Sequence, residues 1–102
     1  MASTYFVYIM ASDTRVLYTG LTTRLHSRVE EHRTGGCAGF TRRHRVAKLV
    51  YFESHVSRRT ATLRMRQIRA WNRSRRVSMV TAWNPTWADL AESWFEERTV
   101  MA

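Results

Sequence analysis

Two short runs rich in β-branched and aromatic residues, YFVYIM (5–10) and VLYTG (16–20), stand on either side of ASDTR. Such side chains suit a pleated, half-buried surface, and Ser and Asp between them suit a turn. The pattern predicts a β-hairpin at the start of the chain. A hairpin constrains the rest of the chain, because its apolar faces must be covered by later elements.

Those elements come in order. LTTRLHSRVEEHRTGG (21–36) reads as a helix, with Thr22 or Thr23 able to cap its start and Gly35 and Gly36 able to stop it. Leu25, Val29 and His32 share one face of it, and Arg28 lies beside them. CAGFTRRHR (37–45) reads as a basic loop. AKLVYFE (47–53) reads as a third strand, with Leu49, Tyr51 and Glu53 pointing one way and Val50 and Phe52 the other.

A helix then carries Ala61, Met65 and Ile68 on one face, with Arg64 and Trp71 beside them. RSRRVSMVTAW (73–83) reads as a shorter basic helix, and Asn84 and Pro85 punctuate. TWADLAESWFEE (86–97) reads as a final amphipathic helix with Trp87, Leu90 and Trp94 on one side. The order ββαβααα predicts an α+β fold, three strands flanked by helices. At 102 residues the expectation is a single domain over 1–102.

The charge narrows the partner. The formal net charge is +9, and the basic side is sixteen Arg with Lys48 alone. Guanidinium presents a planar fork of donors that matches phosphate oxygens. From Ser54 to Ala88 there is no acid, yet eight arginines occur: Arg58, Arg59, Arg64, Arg66, Arg69, Arg73, Arg75 and Arg76. A solvated helix face usually mixes signs, so this stretch, with Arg42 and Arg43 in the basic loop, asks for an anionic partner, nucleic acid above all. The single Cys37 permits no disulfide within the chain. The N-terminus carries neither a signal-peptide pattern nor a membrane span, and the expected location is cytoplasmic.

Four residues could carry chemistry. Tyr8 and Tyr18 sit in the hairpin, and Arg28 and His32 are one helical turn apart. Phosphodiester hydrolysis uses such parts: a group that activates water, and a guanidinium for the phosphate. A metal normally completes such a site. Each residue alone also has a structural reading: strand aromatics for the tyrosines, a pairing with Glu30 or Glu31 for Arg28, a helix C-terminal cation for His32.

Taken together and in order, YFVYIM…VLYTGLTTRLHSRVEEH resembles the opening of the GIY-YIG nuclease family. FVY stands for the GIY element, YTG for the YIG element, and RVEEH supplies the Arg-x-x-x-His that comes next. GFTRRHRVAKLVYFE, RQIRAWNRSRR and NPTWADL extend the resemblance over roughly 4–95, to small single-domain bacterial members often labelled excinuclease-like. The resemblance implies a three-stranded antiparallel sheet flanked by helices and one-metal hydrolysis of nucleic acid, usually DNA, with Mg²⁺ or Mn²⁺. It implies that Tyr8 helps activate or position the attacking water, Tyr18 lines the same pocket, Arg28 holds the scissile phosphate and His32 assists proton transfer.

The family holds its metal with one glutamate on the helix after the third strand, in a segment close to Arg-Glu-x-Gln-Ile-Lys-x-Trp. Here that segment is RMRQIRAW (64–71), and Met65 stands at the glutamate position. A neutral thioether is a poor ligand for a hard cation, and Arg64 and Arg66 flank it. Glu53 is a substitute candidate, with pairing to a nearby Arg as its alternative. Glu30 and Glu31 are expected on the outer face of their helix. Three functions remain open: a GIY-YIG endonuclease with weak or rewired metal binding, a nucleic-acid-binding module that no longer cuts, and a protein adaptor using the C-terminal aromatics.

The remaining features point less sharply. His32, Cys37, His44 and His55 fit no zinc-finger spacing. Phe40, Tyr51 and Phe52 are either core or, if exposed, surfaces for stacking bases. Trp83, Trp87 and Trp94 read as packing, or as a dimer or partner contact.

Overall fold

The computed structural model of the chain describes residues 3–36 and 39–95. Its elements are β1 (Tyr5–Ala11), β2 (Leu17–Thr22), α1 (Leu25–Thr34), α2 (Phe40–Arg43), β3 (Lys48–His55), α3 (Arg58–Ala70) and α4 (Arg73–Trp83), followed by a 3₁₀ turn at Glu92–Phe95. The sheet is antiparallel with order β2-β1-β3. The fold is therefore α+β with helices around a three-stranded sheet, as the sequence predicts. Among the described residues no helix is long and apolar enough to cross a membrane.

The hairpin closes through Ser12. Its backbone N–H donates to the Val16 carbonyl at 3.0 Å, and its hydroxyl accepts from Val16 N at 2.9 Å. Alternation along β1 then splits the core in two. Val7, Ile9 and Ala11 face α3 and α4, packing with Ala61, Ile68, Val80 and Trp87. Tyr8 and Met10 face α1, packing with Leu25, Val29, Val46, Leu49 and Ala91. Each Val, Leu, Ile or Met side chain among these taken fully out of water contributes about 1.5–3 kcal/mol.

β3 does not alternate as its sequence suggests. Ile9 pairs with Tyr51 but Met10 pairs with Leu49, so Val50 is an extra residue in the ladder. This β-bulge turns Leu49 toward α1, while Val50 and Tyr51 both enter the α3/α4 core. Glu53, opposite Val7, also lies on the α3 side.

Helix ends obey local chemistry. Gly35, at φ 77°, and Gly36 end α1 by donating to the His32 and Glu31 carbonyls. Neither Thr22 nor Thr23 caps α1; the cap position is Arg24, and Thr22 Oγ1 accepts from its backbone N–H at 3.0 Å. Ser57 and Asn72 cap α3 and α4. The segment expected to be a basic loop contains the one-turn α2.

The expected C-terminal helix from 86 is replaced by an irregular strap. Buried Asn84 ends α4 and donates to the carbonyls of Val50 at 3.1 Å and Ala88 at 2.9 Å. Trp87 adopts φ 55° and packs into the α3/α4 core, whereas Leu90 and Trp94 pack on the α1 side. The three residues assigned to one helical face thus serve two faces of the sheet. Helical order returns only in the turn at Glu92–Phe95; Glu96 and Glu97 lie outside the described residues.

Candidate functional site

β1 and β2 place Tyr8 opposite Gly20, and Tyr18 opposite Met10, on the α1 side of the sheet. The Tyr8 ring crosses Gly20 so closely that a Cβ there would stand 2.6 Å from it. α1 then turns His32 down onto the two tyrosines. Tyr8 Oη and His32 Nε2 are 3.3 Å apart, within reach for a hydroxyl donating to an unprotonated ring nitrogen. The Tyr18 ring stands 6.2 Å from Tyr8 and 5.4 Å from His32, centre to centre.

Above this cluster opens a cavity of about 360 Å³, lined by Tyr18, Arg28, Glu31, His32, Gly36, Phe40 and Thr41. Tyr8, 1 % exposed, is not part of the lining and reaches it through His32. Two depressions adjoin the cavity at Arg28. One is bounded by Thr22, Thr23, Arg24, Ser27 and Glu31. The other runs past Tyr5, Leu21 and Thr62 to Arg58 at the start of α3. Arg28 thus borders all three, with Arg24 lining the first depression and Arg58 the second.

Burial lowers the pKa of His32 from its ordinary value; the Arg28 charge lowers it further, and Glu31 opposes only in part. The imidazole is thus neutral at neutral pH, the form that can accept a proton. His32 Nδ1 is buried without a hydrogen-bond partner among the described residues. Arg28 is exposed at the mouth, with Nη1 3.2 Å from the Glu31 carboxylate.

The four residues singled out for chemistry therefore come together. The arginines of the basic stretch do not share one environment. Arg42, Arg43, Arg58, Arg59, Arg66 and Arg73 are exposed. Arg64 is half-buried, with Nε donating to Glu53 at 3.1 and 3.2 Å and its guanidinium 5.3 Å from the Trp71 ring centre. Arg69 is exposed too, but its guanidinium donates through Nε and Nη2 to the Thr19 carbonyl at 3.1 and 2.7 Å. Both of the latter are engaged in the fold.

A hard divalent cation does not fit the donor set at the expected positions. Met65 packs against the Val7, Ile9 and Ile68 core and is absent from the cavity lining. Glu53 accepts from Tyr51 Oη, His55 Nε2 and Arg64 Nε on the α3 side of the sheet. Burial works to raise its carboxyl, but the hydrogen bonds from Tyr51 and His55 and the Arg64 charge outweigh it, and the pKa is lowered. Burial and the same carboxylate push Tyr51 up to about 12. Among the described residues no three His, Cys, Asp or Glu side chains gather as a metal site; Cys37 lies outside them.

Sequence reading missed two features of the site. Glu31, assigned to the outer face, lines the cavity. Gly20 was visible only as part of YTG, and its role emerges from the cross-strand register that puts it under Tyr8.

A family model for the GIY-YIG catalytic domain matches residues 4–78. A UPF0213 protein of Natronomonas pharaonis is 34 % identical over 80 residues, 78 % of this chain and 94 % of the relative. One of Clostridium perfringens is 34 % identical over 77 residues, 76 % and 83 % of the two chains. Among solved structures, the solution NMR structure of a UPF0213 protein from Bacillus halodurans aligns with TM-score 0.56 at 24 % identity, covering 88 % of this chain and 97 % of that one. That likeness is one of fold.

Proposed function

The chain belongs to the GIY-YIG catalytic-domain family, and from that premise we propose that residues 1–102 act as one nucleic-acid-binding domain, DNA being the expected partner, which hydrolyses phosphodiester bonds slowly. The observation that carries this reading is the neutral His32 at 3.3 Å from Tyr8, beside Tyr18 and Arg28 at one cavity. A binding surface alone needs no buried Tyr–His pair with a glycine cleared beneath it.

In this reading Arg28 leaves Glu31 for the non-bridging phosphate oxygens, where a charge-assisted fork offsets the developing negative charge. A water meets His32 at the cavity and gives its proton to the Tyr8–His32 pair, the Tyr8 hydroxyl hydrogen moving to His32 Nε2 as Tyr8 Oη takes the water's. The water oxygen bonds to phosphorus, the bond to the leaving sugar oxygen breaks, and that oxygen takes a proton from a solvent water. Nucleases of this family generally depend on a divalent metal. The donors at position 65 do not fit one, so no step is assigned to it. Loss of one well-placed electrostatic group lowers rate by roughly a hundred- to a thousand-fold.

A second reading, a module that binds without cutting, is favoured by Met65, half-buried against the α3/α4 core. Plasmid and branched-duplex cleavage by wild type, His32→Ala and Met65→Glu, each with Mg²⁺, Mn²⁺ or chelator, separates the two. Slow cutting by wild type that His32→Ala abolishes supports hydrolysis. Undiminished cutting by His32→Ala moves the site elsewhere. Silence of wild type in every condition, with nucleic-acid binding retained, selects the binding module.

A further inference from the structure

Phe40, Tyr51 and Phe52 are the rings that the sequence offers to a nucleobase, and the structure separates them. Tyr51 is buried and spends its hydroxyl on Glu53. Phe52 is half-buried among the edges of Phe6, Trp83 and Trp94. Phe40 is 51 % exposed. It opens α2, a four-residue helix that buries only Thr41. Its ring meets His44 at 4.5 Å, and it lines the cavity that holds Tyr18, Arg28 and His32.

The surroundings of Phe40 favour an anionic chain. Arg42 and Arg43 are exposed on the same short helix, and no Asp or Glu occurs between Glu31 and Glu53 in the sequence. An exposed ring that adds little to the core, set at the lip of the cavity where Arg28 pairs with Glu31 and on the same short helix as exposed Arg42 and Arg43, has the form of a stacking platform. A base inside a duplex has both faces covered by its neighbours. Only an unpaired or terminal base can present a face to Phe40 while its phosphate stays at Arg28.

We propose that Phe40 is a base-stacking subsite at the mouth of the Tyr18–Arg28–His32 cavity, and that it gives the protein a preference for nucleic acid with an unpaired base beside the bound phosphate. This inference rests on the nucleic-acid reading above, and the test tells the two apart. Binding is measured for a duplex carrying one unpaired 2-aminopurine and for the fully paired duplex of the same length. The proteins are full-length wild type, Phe40→Ala, Phe40→Leu and Phe40→Trp.

Wild type should bind the unpaired probe more tightly and quench its 2-aminopurine fluorescence on stacking. Phe40→Ala and Phe40→Leu should weaken the unpaired probe by roughly five- to a hundred-fold, the span of one base–aromatic stack. They should leave the paired duplex unchanged, and Phe40→Trp should keep the preference. Leu retains apolar bulk without a π-face, so it separates stacking from packing. Equal loss on both probes, or quenching that persists in Phe40→Ala, overturns the subsite and leaves nucleic-acid binding standing. Failure of wild type to bind either probe overturns both.

Discussion

The Tyr8 ring lies across Gly20 with no room for a side chain: a Cβ on Gly20 would stand 2.6 Å from both Cζ and Oη of Tyr8. Tyr8 is itself buried and aimed at His32, so the missing side chain at position 20 sets the distance between the two. Gly20→Ala must push the phenol off its line to Nε2. We expect a stability loss of about 1–3 kcal/mol, as for overpacking elsewhere, and cleavage reduced far more than nucleic-acid binding. Urea unfolding and a binding–cleavage pair check this. Wild-type stability with a wild-type rate would show that the ring has somewhere else to go.

That relationship also marks the limit of what the sequence exposes. Leu25, Val29 and His32 were legible as one buried face because helical periodicity depends on spacing alone. The hairpin and the glycine stop at Gly35 were legible because each rests on a few adjacent residues. The role of Gly20 depends on strand register, and the environment of Glu53 on where β3 bulges at Val50; neither is a local property. The strap after Asn84 defeated an amphipathic pattern because Asn84 bonds to β3 and Trp87 turns into the opposite core. Tertiary contacts overrode a periodicity that was present.

The pH response of His32 has a definite sign. Burial first, then the Arg28 charge, holds its folded pKa below the ordinary 6.5. As pH falls below that value, the unfolded chain takes up a proton that the folded chain refuses. This contribution to stability is therefore present above the unfolded value and is lost as pH falls toward the folded one. We expect His32→Gln to flatten the slope of unfolding free energy in that window, while Glu31→Gln, which removes a charge that raises the pKa, should steepen it. Identical acid slopes for His32→Gln and wild type would mean that His32 titrates as freely folded as unfolded.

Glu53 joins Tyr51, His55 and Arg64 into a clamp between β3 and α3. Glu53→Gln leaves the half-buried Arg64 without its counter-charge, a loss of about 1–3 kcal/mol for a polar group left unmatched. Because the folded carboxyl is held below its ordinary 4.5, the wild-type advantage is present above that value. It should fade as pH falls through the folded pKa. Unfolding of both proteins at neutral and acid pH checks the convergence. Cleavage, and any dependence of it on added Mg²⁺ or Mn²⁺, should be unaltered, since Glu53 lies on the α3 side of the sheet. A lost metal dependence would instead make Glu53 a ligand.

Arg69 and Arg73 look alike in sequence and should behave differently. Arg69 grips the Thr19 carbonyl with Nε and Nη2, at the edge strand residue between Tyr18 and Gly20. Both side chains are exposed, but Arg73 opens α4 with no such grip on the sheet among the described residues. Arg69→Ala should therefore cost stability, about 1 kcal/mol or somewhat more for a charge-assisted bond, and loosen the strand that carries Tyr18. Arg73→Ala should leave stability unchanged and weaken binding to all sequences alike, flattening the salt dependence by about one unit for one lost phosphate contact. Thermal unfolding and binding across a salt series give both numbers for both variants. If Arg69→Ala unfolds like wild type and flattens the salt slope as much as Arg73→Ala, its guanidinium belongs to the phosphate and the grip on Thr19 is incidental.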